Sequence, residues 1–353
     1  MSLALNGTEG VTYNDGTLQS SAPVGKNLII NGNMRIDQRN AGASVTPTAS
    51  NTYVLDRFTS FLTAVSKFSV QQDAGAVTPP AGFTNYLGVT SLSSYTASAS
   101  DFFSIGQNIE GFNISDLAWG TADAKTVTLS FWVRSSLTGT FGGALVNSGN
   151  DRSYPFTYTI STANTWEQKS ITITGDTTGT WLTNNGTGIK LRVGLGVGAT
   201  YSGTAGSWSG STYYSATGAT SVVGTSGATL YITGVQLETG TTATDFENLQ
   251  YTTQLQLCQR YYYATSSAFI AATATTLCYN LQFPVTMRAT PTETHSYAGV
   301  ANDVYNIITA ATPTFVPNGN FPINTGMKFA YDFDAGLTAG QPYQTEWTFS
   351  AEL

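Results

Sequence analysis

The sequence predicts an all-β protein: a jelly-roll β-sandwich plus a smaller C-terminal β domain, joined by one helix. Charged residues make up only 10% of the 353 residues, against about 25% in an ordinary globular protein. Thr, Ser, Asn and Gly take their place, with 36 Gly, and these residues favour strands and turns over helices. Hydrophobic residues (41%) and aromatic residues (12%) are numerous enough to form cores. The length corresponds to about two domains.

Charge argues against several classes of partner. The net charge is −7 and no basic cluster is present, whereas nucleic-acid binding needs clustered Lys and Arg. An anionic membrane surface is disfavoured for the same reason, and no run of about 18 apolar residues could insert as a helix. The start, Met1–Asn6, lacks the features of a signal peptide, so we expect synthesis and folding in a cytoplasm.

Residues 1–26 are short and polar, and Asn14-Asp15-Gly16 is a hairpin-turn signal. The flanking residues are too few to bury a core. Two interpretations remain open: a disordered tail, or a strand supplied to a sheet shared between subunits. We assign 1–26 as an N-terminal joining or oligomerisation segment.

Residues 27–247 are predicted to form the jelly roll, because short strands alternate with Gly/Asn/Thr turns and no helical period intervenes. In Thr126–Ser135, for example, apolar residues occupy every second position. The predicted strands are Asn27–Met34, Tyr53–Phe61, Thr126–Ser135, Ser170–Thr174, Ile189–Val197 and Thr229–Leu237.

Residues 248–263 form the one convincing helix, and apolar residues at three-and-four spacing define its buried face. A helix of about four turns is stable only when packed. It is either a linker helix lying on a neighbouring domain or a helix packed against its copies near an oligomer axis. The face consists of Tyr251, Leu255, Cys258 and Tyr262.

Residues 264–353 are predicted to be the C-terminal β domain, with prolines confined to the connections. The two cysteines, Cys258 and Cys278, are too few for a disulfide framework in a chain of this length. We expect both to be buried free thiols. The predicted strands are Phe269–Ala272, Thr276–Phe283, Lys328–Phe333 and Gln344–Ala351.

We expect no enzyme activity. The single histidine, His295, lies in a Pro-bounded stretch predicted to be a loop, and no Gly-x-Ser-x-Gly elbow or zinc-ligand spacing is present. The alternative is a glycan hydrolase, which needs only two facing carboxylates. The candidate carboxylates are Asp101, Glu110, Asp116, Asp123, Asp151, Asp176 and Glu238.

One segment, Thr200–Gly224, has the composition of a sugar-binding loop. It combines aromatic residues with Gly and Ser and carries no charge; aromatic rings stack on sugar faces, and short polar groups reach the hydroxyls. The alternative is that these aromatics cover the sandwich or a subunit contact. The predicted glycan-binding residues are Tyr201, Trp208, Tyr213 and Tyr214, with Trp166 and Trp181 as secondary candidates. A third, Trp132, is assigned to the core or to the space between sheets.

Seven segments, in this order along the chain, resemble a known family. The segments are Asp15–Ala22, Asn27–Arg39, Tyr53–Phe58, Val127–Arg134, Leu230–Phe246, Leu255–Tyr262 and Phe283–Pro291. Together they resemble bacteriophage tail fibre or receptor-binding proteins that carry a carbohydrate-binding-module-like jelly-roll domain.

The resemblance implies a homotrimeric component of the virion tail. Its partners would be other tail or baseplate proteins and a host surface polysaccharide, and it would mediate host adhesion. A structural adaptor or decoration protein, and a glycan depolymerase, remain the alternatives. Modules of this kind often hold a structural calcium, for which the oxygen ligands would come from Asn31, Asp37, Glu238 and Asp245; no other cofactor is expected.

Overall fold

Strands dominate the structure, so the all-β prediction is confirmed. The computed structural model describes residues 4–6, 10–12, 18–19, 25–271, 276–298, 300–301, 304–307, 317–318, 322–323, 326–333 and 337–353. The chain divides into two units, of which the first contains the sandwich and the second the C-terminal strands. The first unit is Met1–Arg35, Gly42–Val54 and Phe58–Leu249, and the second is Ile36–Ala41, Leu55–Arg57 and Gln250–Leu353.

The N-terminal segment contains a small antiparallel sheet in the order β1-β2-β3. The strands are β1 (Ala4–Asn6), β2 (Gly10–Thr12) and β3 (Leu18–Gln19). The predicted turn at Asn14–Gly16 lies outside the described residues. A joining role for residues 1–26 stays a prediction.

The first unit contains two facing sheets, and the chain crosses between them repeatedly, as in a jelly roll. One sheet has six strands in the order β11-β10-β13-β8-β5-β4, and the other has five in the order β12-β9-β16-β7-β6. A short pair, β14 with β15, is parallel. The strands are β4 (Thr52–Leu55), β5 (Phe58–Leu62), β6 (Phe68–Gln72), β7 (Leu87–Ser91), β8 (Phe102–Glu110), β9 (Val127–Ser135), β10 (Gly139–Asn147), β11 (Ser153–Ile160), β12 (Glu167–Ile173), β13 (Thr187–Val197), β14 (Ser202–Gly203), β15 (Ser215–Ala216) and β16 (Thr229–Thr239).

Alternation along the strands places apolar side chains between the two sheets. On β9, Leu129, Phe131 and Val133 are all buried, as their spacing predicts. The Phe131 ring meets the ring of Tyr158 on β11 edge to face, with centroids 5.1 Å apart. This contact joins the five-stranded sheet to the six-stranded sheet across the core.

The predicted strand Asn27–Met34 is wrong: this segment is irregular. Its turn is held by a side chain, because the amide of Gln107 accepts a hydrogen bond from the Ile30 N–H at 2.9 Å and donates one to the Ile30 carbonyl at 2.8 Å. Asn31 and Met34 have left-handed φ angles of 61° and 60°. Left-handed residues cannot continue a strand.

Tyr53–Phe61, predicted as one strand, is split into β4 and β5 by a turn at Asp56 and Arg57. Arg57 has a left-handed φ of 69°, and both turn residues are buried despite their charge. The turn and the last residue of β4, Leu55–Arg57, belong to the second unit, whereas the rest of β4 and all of β5 belong to the first.

The second unit is built on one sheet with the path β20-β19-β25-β17-β18-β24-β22; β21 also pairs with β25, and β23 with β24. Its core contains Phe269, Tyr343, Trp347 and Phe349. The elements are α1 (Tyr251–Gln259), β17 (Tyr262–Ala271), β18 (Thr276–Gln282), β19 (Thr292–Tyr297), β20 (Val300–Ala301), β21 (Tyr305–Asn306), β22 (Pro317–Asn318), β23 (Pro322–Ile323), β24 (Gly326–Phe333) and β25 (Pro342–Ser350).

The helix is shorter than the predicted range 248–263. It ends at Gln259, because the aromatic residues that follow enter β17, where Tyr262 pairs with Ser350 of β25; aromatic residues favour strands. Cys258 is fully buried, but Tyr251 is 51% exposed and lies off the buried face. Among the described residues, no helix is long and apolar enough to span a bilayer.

Two residues singled out in the sequence have buried, structural positions in this unit. His295 lies in strand β19 rather than in the predicted loop, beside the Trp347 ring. The thiol of Cys258 is buried, and desolvation raises its pKa well above the ordinary value. The side chain of Cys278 lies outside the described residues.

Candidate functional site

The segment 200–224 covers part of the outer face of the six-stranded sheet and runs beside its edge strand β11. Two glycines of that sheet permit its close approach. A Cβ atom added at Gly142 would be 2.4 Å from the Ser215 hydroxyl, and one added at Gly194 would be 2.9 Å from the same oxygen. The two positions where the segment crosses the sheet are therefore glycines, because a side chain at either one would collide with the segment.

Hydrogen bonds to strand β11 hold the segment in place. Ser153 and Ser209 exchange backbone hydrogen bonds of 3.0 and 2.9 Å. The Ser153 hydroxyl donates to the Ser211 carbonyl at 2.6 Å and accepts from the Tyr213 N–H at 3.1 Å. The predicted loop is therefore fixed along its length, which favours a rigid binding surface.

Trp208 belongs to a cluster of four aromatic rings. Its centroid lies 5.3 Å from Trp119, 5.4 Å from Trp181 and 5.2 Å from Tyr154, each pair packed edge to face. The indole N–H of Trp208 donates to the Thr174 carbonyl at 2.7 Å. Trp181 is 7% exposed, whereas Trp208 is half-buried. Of Trp181 and Trp208, Trp208 is therefore the residue whose ring can still contact a ligand.

Two of the three predicted tyrosines form a second aromatic group on the same segment, and the third packs separately on the backbone. Tyr201 and Tyr214 stack with centroids 5.3 Å apart and an interplanar angle of 26°, and Phe102 packs edge to face against both. The Tyr213 ring covers the backbone at Gly203. All three tyrosines are half-buried. Burial raises the pKa of Tyr214, so its hydroxyl keeps its proton and can donate.

Two cations on the same face were missed in the sequence. Arg192 is buried, its guanidinium lies 3.4 Å from the centroid of the Phe61 ring, and it donates to Asn108 Oδ1 at 3.0 Å. Lys190 donates from Nζ to Asn150 Oδ1 at 2.8 Å. Burial lowers the pKa of Arg192 to about 9 and that of Lys190 to about 8.

The hydrogen bonds described for these two cations go to carbonyl and amide oxygens, which are neutral. Arg192 and Lys190 stand two residues apart on β13 and so share its outward face. The sequence signal for these two residues is the pattern Lys-x-Arg within a strand, which indicates that they share a face. The pattern does not show that the two cations are buried.

Trp166 lies apart from the other predicted residues. Its ring packs against Tyr86, with centroids 5.5 Å apart, and its N–H donates to the Thr78 carbonyl at 2.9 Å. Tyr86 and Tyr231 form a cluster on the outer face of the five-stranded sheet. The structure therefore brings Tyr201 and Tyr214 together in one group and Trp208 and Trp181 together in another, and it places Trp166 apart from both.

Three of the candidate carboxylates are engaged by neighbouring donors. Hydrogen bonds from Ser98, with others from Thr63 and Tyr95, hold the pKa of Asp101 at about 2. Asp176 pairs with Arg152, and Glu238 accepts from Thr244. A general acid needs a raised pKa, whereas the pKa values of Asp101 and Asp176 are lowered. Of the others, Glu110 is buried, and the remaining three are exposed: Asp116, Asp123 and Asp151.

Two of the proposed calcium ligands accept hydrogen bonds from the chain itself. The Glu238 carboxylate accepts from the Thr244 N–H at 2.8 Å and from its hydroxyl at 2.6 Å. The Asp37 carboxylate accepts a hydrogen bond from the Asn40 N–H at 3.0 Å. Within the described part of the chain, no group of three or more His, Cys, Asp or Glu side chains is placed to hold a metal ion.

Comparison with known proteins gives matches only among solved structures. No family model and no curated protein matches the sequence. The enzymatically active domain of tailspike protein 4 from bacteriophage CBA120 aligns at 11% identity with a TM-score of 0.32, over 61% of this chain and 22% of that one. This chain thus spans about a fifth of the tailspike domain.

Two carbohydrate-binding modules align over most of their own lengths. A CBM4 module aligns at 14% identity and a TM-score of 0.31, over 60% of this chain and 98% of that one. A family 11 module from a cellulosomal cellulase of Clostridium thermocellum aligns at 10% identity and a TM-score of 0.28, over 58% and 99%. What this chain binds must be inferred from its own residues.

Proposed function

We propose that this chain binds a host surface polysaccharide through segment 200–224, on the outer face and at the edge of its six-stranded sheet, as a subunit of a bacteriophage tail fibre or receptor-binding protein. The observation that carries the proposal is the rigid placement of half-buried aromatic rings along this segment, with Tyr201 and Tyr214 stacked beside Phe102 and Trp208 packed against Tyr154 at the edge strand β11. Half-buried rings still expose part of their surface to a sugar. Because the fold already holds these rings in place, sugar binding would not have to order them.

The polar groups around these rings suit sugar hydroxyls. The segment carries Ser and Thr at short intervals, and Lys190 lies on the neighbouring strand face. Hydroxyls and amides give adaptable hydrogen bonds, and a partly buried cation strengthens any bond that it donates. A glycan with acidic units fits this face better than a neutral one.

The assembly is part of the proposal. Weak contacts to single sugars are multiplied when several copies bind one polysaccharide chain, because later contacts form at a high effective concentration. A closed three-fold assembly in a virion tail would supply that multiplicity. Binding rather than hydrolysis is proposed, because Asp101, Asp176 and Glu238 are occupied as hydrogen-bond acceptors.

The direct test measures glycan binding on an array of bacterial capsular and lipopolysaccharide glycans. Tyr201→Ala and Trp208→Ala are each expected to weaken binding at least tenfold, or about 1.4 kcal/mol. Trp166→Ala is the matched control, since it removes a half-buried aromatic ring from the other sheet. Equal binding by all three variants would contradict the proposal.

The assembly has its own measurement. Light scattering of the purified chain should give three times the mass of one 37.3 kDa chain. A monomeric mass would contradict the proposed trimer, but it would not contradict the proposed glycan site. If the chain is a trimer and binds no glycan, the structural adaptor remains, and the aromatic segment would then be a contact between proteins.

A further inference from the structure

Trp132 lies on the outer face of the five-stranded sheet, which corrects its assignment to the core or to the space between the sheets. Its neighbours on β9, Phe131 and Val133, are buried in the core. Because successive side chains of a strand point to opposite faces, the Trp132 side chain points away from the core. Its ring is half-buried, so part of the ring surface can contact a ligand.

The indole N–H of Trp132 donates no hydrogen bond to any described residue. The other four tryptophans of the sandwich each donate to a carbonyl of the chain: Trp119 to Lys125 at 2.7 Å, Trp166 to Thr78 at 2.9 Å, Trp181 to Thr178 at 3.2 Å and Trp208 to Thr174 at 2.7 Å. A tryptophan N–H usually finds such a partner when its ring is packed in a fold. The N–H of Trp132 is therefore a donor that a ligand hydroxyl could accept from.

The side chain next to Trp132 also has unused hydrogen-bonding groups. Gln168 on the edge strand β12 is the register partner of Trp132, so the two side chains are neighbours on one face of the sheet. Gln168 is exposed, and its amide makes no hydrogen bond to any described residue. An amide both donates and accepts, which matches two adjacent hydroxyls of a sugar.

A second aromatic ring meets Trp132 at a bulge in the neighbouring strand. Strand β16 changes register against β9 between Thr233 and Gln236, and Gly234 within this bulge has a left-handed φ of 61°. A Cβ atom added at Gly234 would lie 2.6 Å from the Phe83 ring and 3.3 Å from the Trp132 ring. A glycine is therefore needed where the two rings come together. Bulges are enriched beside functional sites, where they redirect side chains.

The Phe83 ring is held in place by the fold and is still accessible. Phe246 packs against it edge to face, with centroids 5.2 Å apart. Phe83 is half-buried and lines a surface cavity of about 160 Å³ together with Gly82 and Thr84. Because the ring is already positioned, ligand binding would not have to order it.

Charge at this surface favours a neutral ligand. The indole, phenyl and amide groups described above are uncharged. Arg134, two residues from Trp132 on the same face of β9, lies 5.5 Å from the centroid of the Tyr231 ring and donates from Nε to the Asn164 carbonyl at 2.9 Å. A neutral sugar has an apolar C–H face for the rings and hydroxyls for the uncharged donors and acceptors.

We propose that Trp132, Phe83 and Gln168 form a second carbohydrate site, which binds a neutral hexopyranose unit of a polysaccharide. The sugar ring stacks on the indole of Trp132, and Phe83 extends the apolar contact across Gly234. The indole N–H and the Gln168 amide bind the sugar hydroxyls. This site does not depend on segment 200–224, which lies on the other sheet and for which a glycan with acidic units is proposed.

The test titrates the whole chain with four neutral tetrasaccharides and follows the indole N–H signals of its six tryptophans by NMR. The tetrasaccharides are cellotetraose, laminaritetraose, mannotetraose and galactotetraose. At least one should bind and shift the Trp132 signal, which is identified by its absence from Trp132→Phe. β-1,4-Linked tetraglucuronate, the acidic counterpart of cellotetraose, should bind at least tenfold more weakly than the best neutral ligand. Binding by none of the four, or equal binding by tetraglucuronate, would overturn the proposal.

Variants locate the site. Trp132→Ala should raise the dissociation constant of the neutral tetrasaccharide at least tenfold, and Gln168→Ala should raise it at least threefold. Because Gln168 is exposed, its variant tests the site even where Trp132→Ala is unstable. Gln256→Ala, which removes an exposed glutamine side chain from helix α1, is the matched control and should leave the affinity unchanged. An unchanged affinity in Gln168→Ala or in folded Trp132→Ala would contradict the assigned site.

The two carbohydrate sites can be tested separately. Trp208→Ala should weaken acidic glycan binding at segment 200–224, whereas Trp132→Ala should weaken only the binding of neutral tetrasaccharides. Neutral binding that disappears with Trp208→Ala would belong to segment 200–224, and the second site would be wrong. Loss of the proposed function alone would appear as an absence of acidic glycan binding, with the Trp132 signal still shifted by a neutral tetrasaccharide.

Discussion

The Arg152 guanidinium donates two hydrogen bonds to the Asp176 carboxylate, from Nε at 2.7 Å and from Nη2 at 2.6 Å. Asp176 is 2% exposed and also accepts from Thr178 and from the indole N–H of Trp181. Although burial raises the pKa of Asp176, the bonds from Arg152 and Thr178 hold it below its usual range. The pair therefore fixes the aromatic cluster beneath Trp208.

The first prediction concerns this pair. Asp176→Asn should lower the free energy of unfolding by about 3 kcal/mol, because it leaves a guanidinium facing a neutral group at a buried position. Urea unfolding followed by tryptophan fluorescence measures the change. Lys169→Ala is the control, since its partly exposed pair with Glu167 should contribute less than about 1 kcal/mol. Similar losses in both variants would contradict the prediction.

The strands of the sandwich could be predicted because their signal is local. Alternation in Thr126–Ser135 predicts β9 almost to the residue, since a half-buried strand imposes a period of two on its own sequence. Asn27–Met34 shows the limit of this reasoning. Its apolar run suggests a strand, but its conformation is fixed by Gln107, 77 residues away from Ile30.

The aromatic composition of segment 200–224 indicated a candidate surface but not the neighbours of each ring. Trp119 carries no glycan signal in the sequence, yet it packs against Trp208. Arg192 was missed because its significance comes from Phe61 and Asn108, which are brought to it by strand pairing far along the chain. Contacts of this kind depend on sheet register, which a single sequence specifies only weakly.

The second prediction tests whether segment 200–224 must lie flat on the sheet. Gly142→Val adds atoms where Ser215 Oγ and the Ala216 nitrogen would lie 2.4 and 2.9 Å from Cβ. The segment should lift from the sheet, glycan affinity should fall at least tenfold, and stability should fall by about 1–3 kcal/mol. Gly210→Ser is the control, because no atom lies within 4 Å of its added Cβ. Normal glycan binding by Gly142→Val would show that the close approach is unnecessary.

The third prediction concerns pH and Asp56. Burial raises the pKa of this carboxyl from 3.8 to about 6, against the lowering effects of the Gln38 hydrogen bonds and the Arg39 charge. Between these two values the folded chain keeps a proton that the unfolded chain has lost. The contribution of Asp56 to stability is therefore greatest below about pH 4, falls as the pH rises to about 6, and is constant above that.

Asp56→Asn isolates this contribution, because it removes the titrating group. The free energy of unfolding, measured from pH 3.5 to 8, should fall with pH more steeply in the wild type than in the variant, by on the order of 2–3 kcal/mol across the window. Other carboxyl groups contribute equally to both curves. Parallel curves for the two proteins would show that Asp56 has an ordinary pKa.

The fourth prediction concerns Glu352, which lies between two arginines in the second unit. Its Oε1 pairs with Arg39 Nη2 at 2.6 Å, its Oε2 pairs with Arg57 Nη1, and Arg57 is 1% exposed. Arg57 also lies 3.6 Å above the centroid of the Tyr261 ring. Glu352→Gln should cost about 3 kcal/mol of stability, because two guanidinium groups then share one neutral amide in a buried place.

Glu346→Gln is the matched control for this variant. It makes the same chemical change in the same unit, on strand β25, at an exposed position, and should shift stability by less than about 0.5 kcal/mol. Thermal unfolding of the two variants and the wild type at one pH is sufficient. If Glu352→Gln unfolds at the wild-type temperature, Arg57 is stabilised by the Tyr261 ring and Arg39 by the Tyr262 ring rather than by the carboxylate. The buried charge at Arg57 would then depend on ring stacking, and Tyr261→Leu would become the destabilising change.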